Sequence, residues 1–329
     1  MIDRKLPFES INREILVKKE SSTSPKYGCD PSKRPVPKLI ENGIVNLDKP
    51  AGPTSHQVSA YLKQILGLSK AGHSGTLDPN VTGVLPVCLL GATKAVHTLL
   101  SAGKEYVCVM HMHKELTETE VRNACAAFSG KIKQLPPVKS AVKRQIRERE
   151  IYYLDIMEIE GKDVLFRTGV QGGTYIRKLV DDIGKKVGGA HMAELRRTKA
   201  GPFKEDTLAT LQDVADAWHY YKSQGNDKFI RKIVQPVENG IVHLPKIWIV
   251  DSAVDTISHG ASLKIPGISK LESGINKEDT VAVLTLKGEL VCYGTARMTS
   301  DEIMEAHRGM AVKTERVFMD RGTYPKTEI

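Results

Sequence analysis

Twelve residues, Gly72-His73-Ser74-Gly75-Thr76-Leu77-Asp78-Pro79-Asn80-Val81-Thr82-Gly83, hold three glycines, two threonines, a serine and a single acid, and an apolar run follows at once, Val84-Leu85-Pro86-Val87-Cys88-Leu89-Leu90. Glycine lets a backbone turn tightly and approach a ligand closely. Pro79 biases Asp78 away from the α region and fixes the φ that follows, so the carboxylate is held on a stiff loop. On spacing alone Asp78 is either a turn former or a catalytic acid. The run after it is a buried strand or an apolar helix turn.

The flanks read as a mixture of short elements. Gly43 to Lys49 forms a strand stopped by Pro50. Thr54 with Gln57 is a capping box opening a helix with Val58, Leu62 and Ile65 on one stripe, ended by Gly67. Tyr106, Cys108, Met110 and Met112 alternate with Val107, Val109, His111 and His113, the period of a strand. Thr117 with Glu120 opens a second helix through Val121, Ala124 and Phe128, which Gly130 is expected to close. Strands are predicted at 151–159 and 163–171, and Gly172-Gly173 leads into a helix carrying Ile176, Leu179, Ile183 and Val187. No regular βαβ rhythm appears, so the fold class is α+β. Pro236, Gly240 and Pro245 mark a boundary, and the short segments after it form a small β-barrel-like module. Residues 21–37, rich in Ser, Pro and Lys, read as a linker. The expected division is an arm and linker over 1–37, a first domain over 38–245 and the β module over 246–329.

Composition removes several classes. Lys and Arg number 48 against 39 Asp and Glu, with 40% hydrophobic residues, which excludes a disordered polyelectrolyte. No stretch approaches the ~18 uncharged apolar residues of a membrane span, and MIDRKLPFES carries charges where a secretory core would lie. Five scattered cysteines without a CxxC pair fit reduced thiols, so a soluble intracellular protein is expected. No G-x-G and no P-loop occurs. His111-x-His113 has no third ligand near it in sequence and reads as a surface pair. The charge is uneven: residues 1–245 carry a net +10, and Lys131 to Arg149 alone carries +6. That run is either an RNA-backbone stripe or a solvated strand edge.

The string GHSGTLDPNVTGVLP closely resembles the catalytic motif of pseudouridine synthases of the TruB/dyskerin class. Further matches follow in order: Leu47-Asp48-Lys49-Pro50-Ala51-Gly52-Pro53-Thr54-Ser55, Lys104-Glu105-Tyr106, Gly173-Thr174-Tyr175-Ile176-Arg177, and Leu195-Arg196-Arg197-Thr198 with Gly201-Pro202-Phe203. Leu135 to Arg144 and the C-terminal module are similar to the archaeal guide-RNA-dependent branch, whose small C-terminal domain is a PUA domain. Val81 stands where alanine is usual.

The resemblance implies a mixed-sheet catalytic domain that isomerises uridine to pseudouridine, in guide-paired rRNA or in the T-loop of tRNA, without metal or redox cofactor. It makes Asp78 the nucleophile, attacking C1′ or C6, and Arg177 the guanidinium that fixes its direction. Tyr106 matches the active-site tyrosine; on periodicity alone it is equally a core aromatic. His73 matches a histidine that holds the extruded nucleotide, and Tyr175 and Leu195 match pocket walls. Lys49 matches a lysine that braces the catalytic loop, with substrate contact second. Lys139, Lys143 and Arg144 would lie along RNA backbone. Implied partners are a box H/ACA guide RNA, the rRNA or tRNA substrate and three small proteins: one kink-turn-binding and ribosomal-protein-like, one small β-barrel, one short and rod-like. The implied compartment is the cytoplasm, with no membrane partner. The competing class is a non-catalytic RNA scaffold that keeps the fold.

Overall fold

A computed structural model describes residues 4–136 and 143–326. The local signals act as expected where they are self-contained. Thr54 caps the helix Ser55–Ile65 through Gln57 N, Gln57 Oε1 accepts from Thr54 N in return, and Val58 and Leu62 are buried. Thr117 and Glu120 do the same for Glu118–Ala126. That helix ends sooner than expected: its cap is Ala127, and Gly130, at φ +86°, opens the next strand instead of closing the helix. Ile176–Val187 buries Ile176, Leu179, Val180 and Ile183 and stops at Gly188, whose left-handed φ of +94° suits glycine.

The main sheet runs, in spatial order, Val234–Pro236, Gly43–Lys49, Thr82–Leu89, Ala190–Ala200, Lys104–Met112, Asp163–Val170, Arg147–Glu160 and Gly130–Gln134. Ala71–His73 and Phe203–Lys204 attach beside Thr82–Leu89 and Ala190–Ala200 respectively. Neighbours are antiparallel except where Thr82 and Gly83 meet Arg196 and Arg197 in parallel. Gly83 to Leu89 is buried throughout, so the apolar run is a central strand. Arg147–Glu160 starts four residues earlier than the sequence predicts, because its head pairs with Gly130–Gln134 in the register Lys131↔Glu150, Lys133↔Glu148 and Gln134↔Arg147. Much of the basic run is therefore a two-stranded edge, with Lys131 Nζ 3.2 Å from Glu148.

Glu118–Ala126 and Ile176–Val187 pack on the Lys104–Met112 and Asp163–Val170 part of this sheet, Ser55–Ile65 and Leu211–Gln224 on the Gly43–Lys49 and Thr82–Leu89 part. A second sheet, Ile15–Val17, Ile268–Glu272, Lys246–Ile249, Thr280–Thr285, Leu290–Ala296, Met310–Val317 and Leu263–Lys264 in spatial order, has its own core. Its first strand comes from the N-terminal arm (Ile15↔Glu272 to Val17↔Lys270). Residues 21–35 are not a free linker: Lys287 Nζ donates to Ser24 O at 2.8 Å and Cys29 N to Glu289 Oε1 at 3.0 Å. A third apolar cluster joins the sheets, with Ile44, Leu99 and Ile241 from one side and Leu284, Tyr293 and Phe318 from the other. Among the described residues no helix is long and apolar enough to cross a membrane.

Candidate active site

The loop from Ser74 to Val81 connects two paired strands, Ala71–His73 and Thr82–Leu89, and its backbone is tied down from both sides. Lys49 is fully buried and gives its three N–H groups to the carbonyls of Pro50 (2.8 Å), Pro79 (2.8 Å) and Val81 (2.9 Å). Burial pushes its ammonium below the usual lysine range, and the charge of Asp78 pulls the other way. Ser55 clasps Leu77, accepting from its N–H at 2.8 Å and donating to its carbonyl at 3.1 Å. Across the loop, the buried Arg197 donates from Nε to Val84 O at 2.7 Å and from Nη2 to Gly75 O at 3.2 Å. Gly83 is needed where the loop ends: a Cβ there, at φ +101°, would sit 2.2 Å from Arg197 O.

With the backbone fixed, the Asp78 side chain projects outward and meets Arg177, the second residue of Ile176–Val187, in a hydrogen-bonded ion pair. Both side chains remain about half exposed, at 50% for Asp78 and 56% for Arg177, so the pair faces solvent. The floor beside it is apolar. Leu77, Val81, Tyr106 and Ile176 belong to one buried cluster, and Leu195 packs against it. Tyr106 is 7% exposed and hydrogen-bonds Arg197, its cross-strand partner. Tyr175 precedes the helix and is clasped by Gln134, whose Oε1 accepts from Tyr175 N at 3.0 Å and whose Nε2 donates to Tyr175 O at 3.2 Å. It lines a cleft with Pro136, Arg147, Arg149 and Gly173. His73 packs edge-on against His56, centroids 4.8 Å apart. Burial, with His56 and Arg197 nearby, pushes it down to about 4, so the ring is uncharged at neutral pH.

One expected contact differs. Lys49 has no N–H left and no exposed surface, so it braces the loop and does not touch substrate. Lys143 and Arg144 are exposed, as an RNA-facing role requires, whereas Lys139 lies outside the described residues.

Comparison with known proteins decides the class. Residues 63–176 match the TruB family pseudouridylate synthase N-terminal domain, and 177–242 the tRNA pseudouridylate synthase B C-terminal domain. A PUA domain matches 245–318 and a DKCLD domain 3–59. The probable tRNA pseudouridine synthase B of Methanopyrus kandleri is 55% identical over 98% of this chain and 96% of its own, and that of Pyrococcus abyssi 55% over 99% and 98%. The chain belongs to the TruB family of pseudouridylate synthases. Among solved structures, a chain of a Cbf5–Nop10–Gar1 complex superposes with TM-score 0.95 at 54% identity, covering 98% of this chain and 99% of that one. A chain of an H/ACA RNP bound to a substrate RNA containing 2′-deoxyuridine gives 0.93 at 52%, with the same coverage. The fold is thus a TruB catalytic domain of mixed sheet and helix with a PUA domain.

Two buried cations of this pseudouridine synthase escape a reading of its sequence. Arg197 stands in the LRRT string, but its role depends on Tyr106 being its register partner 91 residues away. Lys104 is buried on the other flank of Gly75, donating to the carbonyls of Leu100 (3.0 Å) and Ala102 (2.9 Å), and burial beside Arg197 pushes it down to about 7. A charged residue at an inward-facing strand position is the signal that marks both.

Proposed function

We propose that this synthase is the catalytic subunit of a box H/ACA ribonucleoprotein, with Asp78 as nucleophile toward an everted uridine and base pairing by guide RNA choosing the target. The solvent-facing Asp78–Arg177 ion pair, on an immobilised loop beside an apolar floor, carries this reading. Pseudouridylation breaks the N1–C1′ bond, turns the base and forms C5–C1′. The Asp78 carboxylate supplies the transient bond to C1′ or C6, the C5 proton leaves and N1 gains one. Arg177 aims the carboxylate, Tyr106 supports the base and receives the C5 proton, and Tyr175, Leu195 and the neutral His73 wall the pocket. Eversion costs a few kcal/mol, which apolar contacts on this floor offset.

We assign the arm to 1–37, the catalytic domain to 38–245 and the RNA-gripping PUA domain to 246–329. Lys143 and Arg144, with Lys139, contact substrate backbone and add salt sensitivity without reading sequence. The likeness to chains solved with Nop10 and Gar1, and in an H/ACA RNP with substrate RNA, supports the guide RNA and small-protein partners. Five free thiols accord with a cytoplasmic setting. The relatives' name favours a second substrate, tRNA alone. Reconstitution with guide, substrate RNA and the small proteins, beside incubation with bare unmodified tRNA, separates the two. Pseudouridine at the guide-paired position only when guide is present is expected. Equal product on bare tRNA, with none on the guided substrate, would replace the guided reading with stand-alone action.

A further inference from the structure

His111-x-His113 gains a third imidazole in the fold. Both histidines lie on one face at the end of Lys104–Met112, and the antiparallel neighbour sets His191 directly opposite His111. His191 lies between the two, ring centroids 5.2 Å from His111 and 5.3 Å from His113. His113 Nε2 and His191 Nδ1 are 3.1 Å apart. Two imidazole nitrogens bound tetrahedrally at ~2.0–2.1 Å from one ion stand about 3.4 Å apart, so this pair needs only a few tenths of an ångström to share one. On the other flank, Asp163 is the register partner of His111, its Oδ1 2.7 Å from His111 Nδ1. A carboxylate on one ring nitrogen leaves the other to ligate, the arrangement that orients metal-binding histidines. The Gly188-Gly189 turn leaves room for the site: a Cβ at Gly189 would sit 2.4 Å from His113 Nδ1.

We propose that His113, His191 and His111 form a binding site for a divalent transition-metal ion of the zinc class, with Asp163 behind His111 and water in the fourth position. Among the described residues no three such groups are placed to hold a metal ion as they stand, so the partly exposed His111 turns about its side-chain torsions to bring in Nε2. The site is remote from the reaction, since His111 is five residues, roughly 16 Å, along the strand from Tyr106. Its ion is a brace. It ties the strand that carries Tyr106 to the one that carries Leu195 and Arg197.

Full-length protein stripped with chelator is titrated with Co²⁺, followed by visible absorption, and with Zn²⁺ by calorimetry. One ion per chain with the intense bands of four-coordinate cobalt is expected, and Zn²⁺ raises the melting temperature. His191→Ala and, separately, His113→Gln abolish both effects, while Asp163→Asn weakens binding about 10- to 100-fold. Unaltered pseudouridine formation in each variant shows that the fold is kept. Absence of uptake, six-coordinate cobalt spectra, or uptake unchanged in both histidine variants would overturn the proposal.

Discussion

Lys49 shows how one side chain sets the geometry of a reactive loop. A lysine ammonium has three donors, and here all three are spent on carbonyls that bracket Asp78. Lys49→Met keeps the bulk and leaves three buried acceptors bare, at ~1–3 kcal/mol each where water cannot reach them. The expected loss, after relaxation, is about 2–4 kcal/mol in urea unfolding. Turnover should fall with it while RNA affinity stays unchanged, because Lys49 presents no surface to RNA; a selective loss of RNA affinity would contradict this placement. At this scale much of the site was legible. Asp78, Pro79 and the flanking glycines are contiguous, and their stiffness follows from local sterics. The partnership with Arg177 came only from the family resemblance, since 99 residues separate the two and nothing local joins them.

Among the elements, legibility follows the range of the interactions. Capping boxes such as Thr54/Gln57 and Thr117/Glu120 span four residues and need no tertiary partner, so they read directly from sequence. The early start of Arg147–Glu160, the strand contributed by the arm, and the meeting of His111 with His191 all depend on which strands become neighbours. His243 shows the same dependence. It lies between Phe8 of the arm, centroids 6.0 Å apart, and the carbonyl of Thr98 at 3.1 Å. Burial pushes it from 6.5 down to about 4, against the pull of the Thr98 carbonyl. A folded value below the unfolded one means that its contribution is whole above about 6.5 and is lost as pH falls toward about 4, where the unfolded chain takes the proton first. His73 acts with the same sign. The urea midpoint of the wild type should therefore drop more steeply between pH 7 and pH 5 than that of His243→Gln; parallel profiles would show that His243 stays solvated.

Over the whole molecule, the catalytic domain and the PUA domain share one apolar joint, pinned by a polar one that the arm enters. Arg34 reaches Glu238 through two hydrogen bonds of 2.8 and 2.7 Å, and Glu238 also accepts from Leu290 N at 2.7 Å. Phe318 is 4% exposed, beside Tyr293 at 6.0 Å and under Lys94 Nζ at 5.7 Å. Phe318→Ala should cost about 3–5 kcal/mol and split a single calorimetric transition into two, one for each sheet. An unsplit transition at the wild-type temperature would mean that the joint contributes little. A fixed joint matters to the proposed catalysis, in which RNA gripped by the PUA domain delivers a nucleotide to Asp78. The most direct test of that delivery and of the chemistry is single-turnover pseudouridine formation by Asp78→Asn, assembled with guide and substrate RNA, with RNA affinity measured alongside. The expected result is a rate at least ~10³-fold lower at wild-type affinity. Product at the wild-type rate would contradict the assignment of Asp78 as nucleophile.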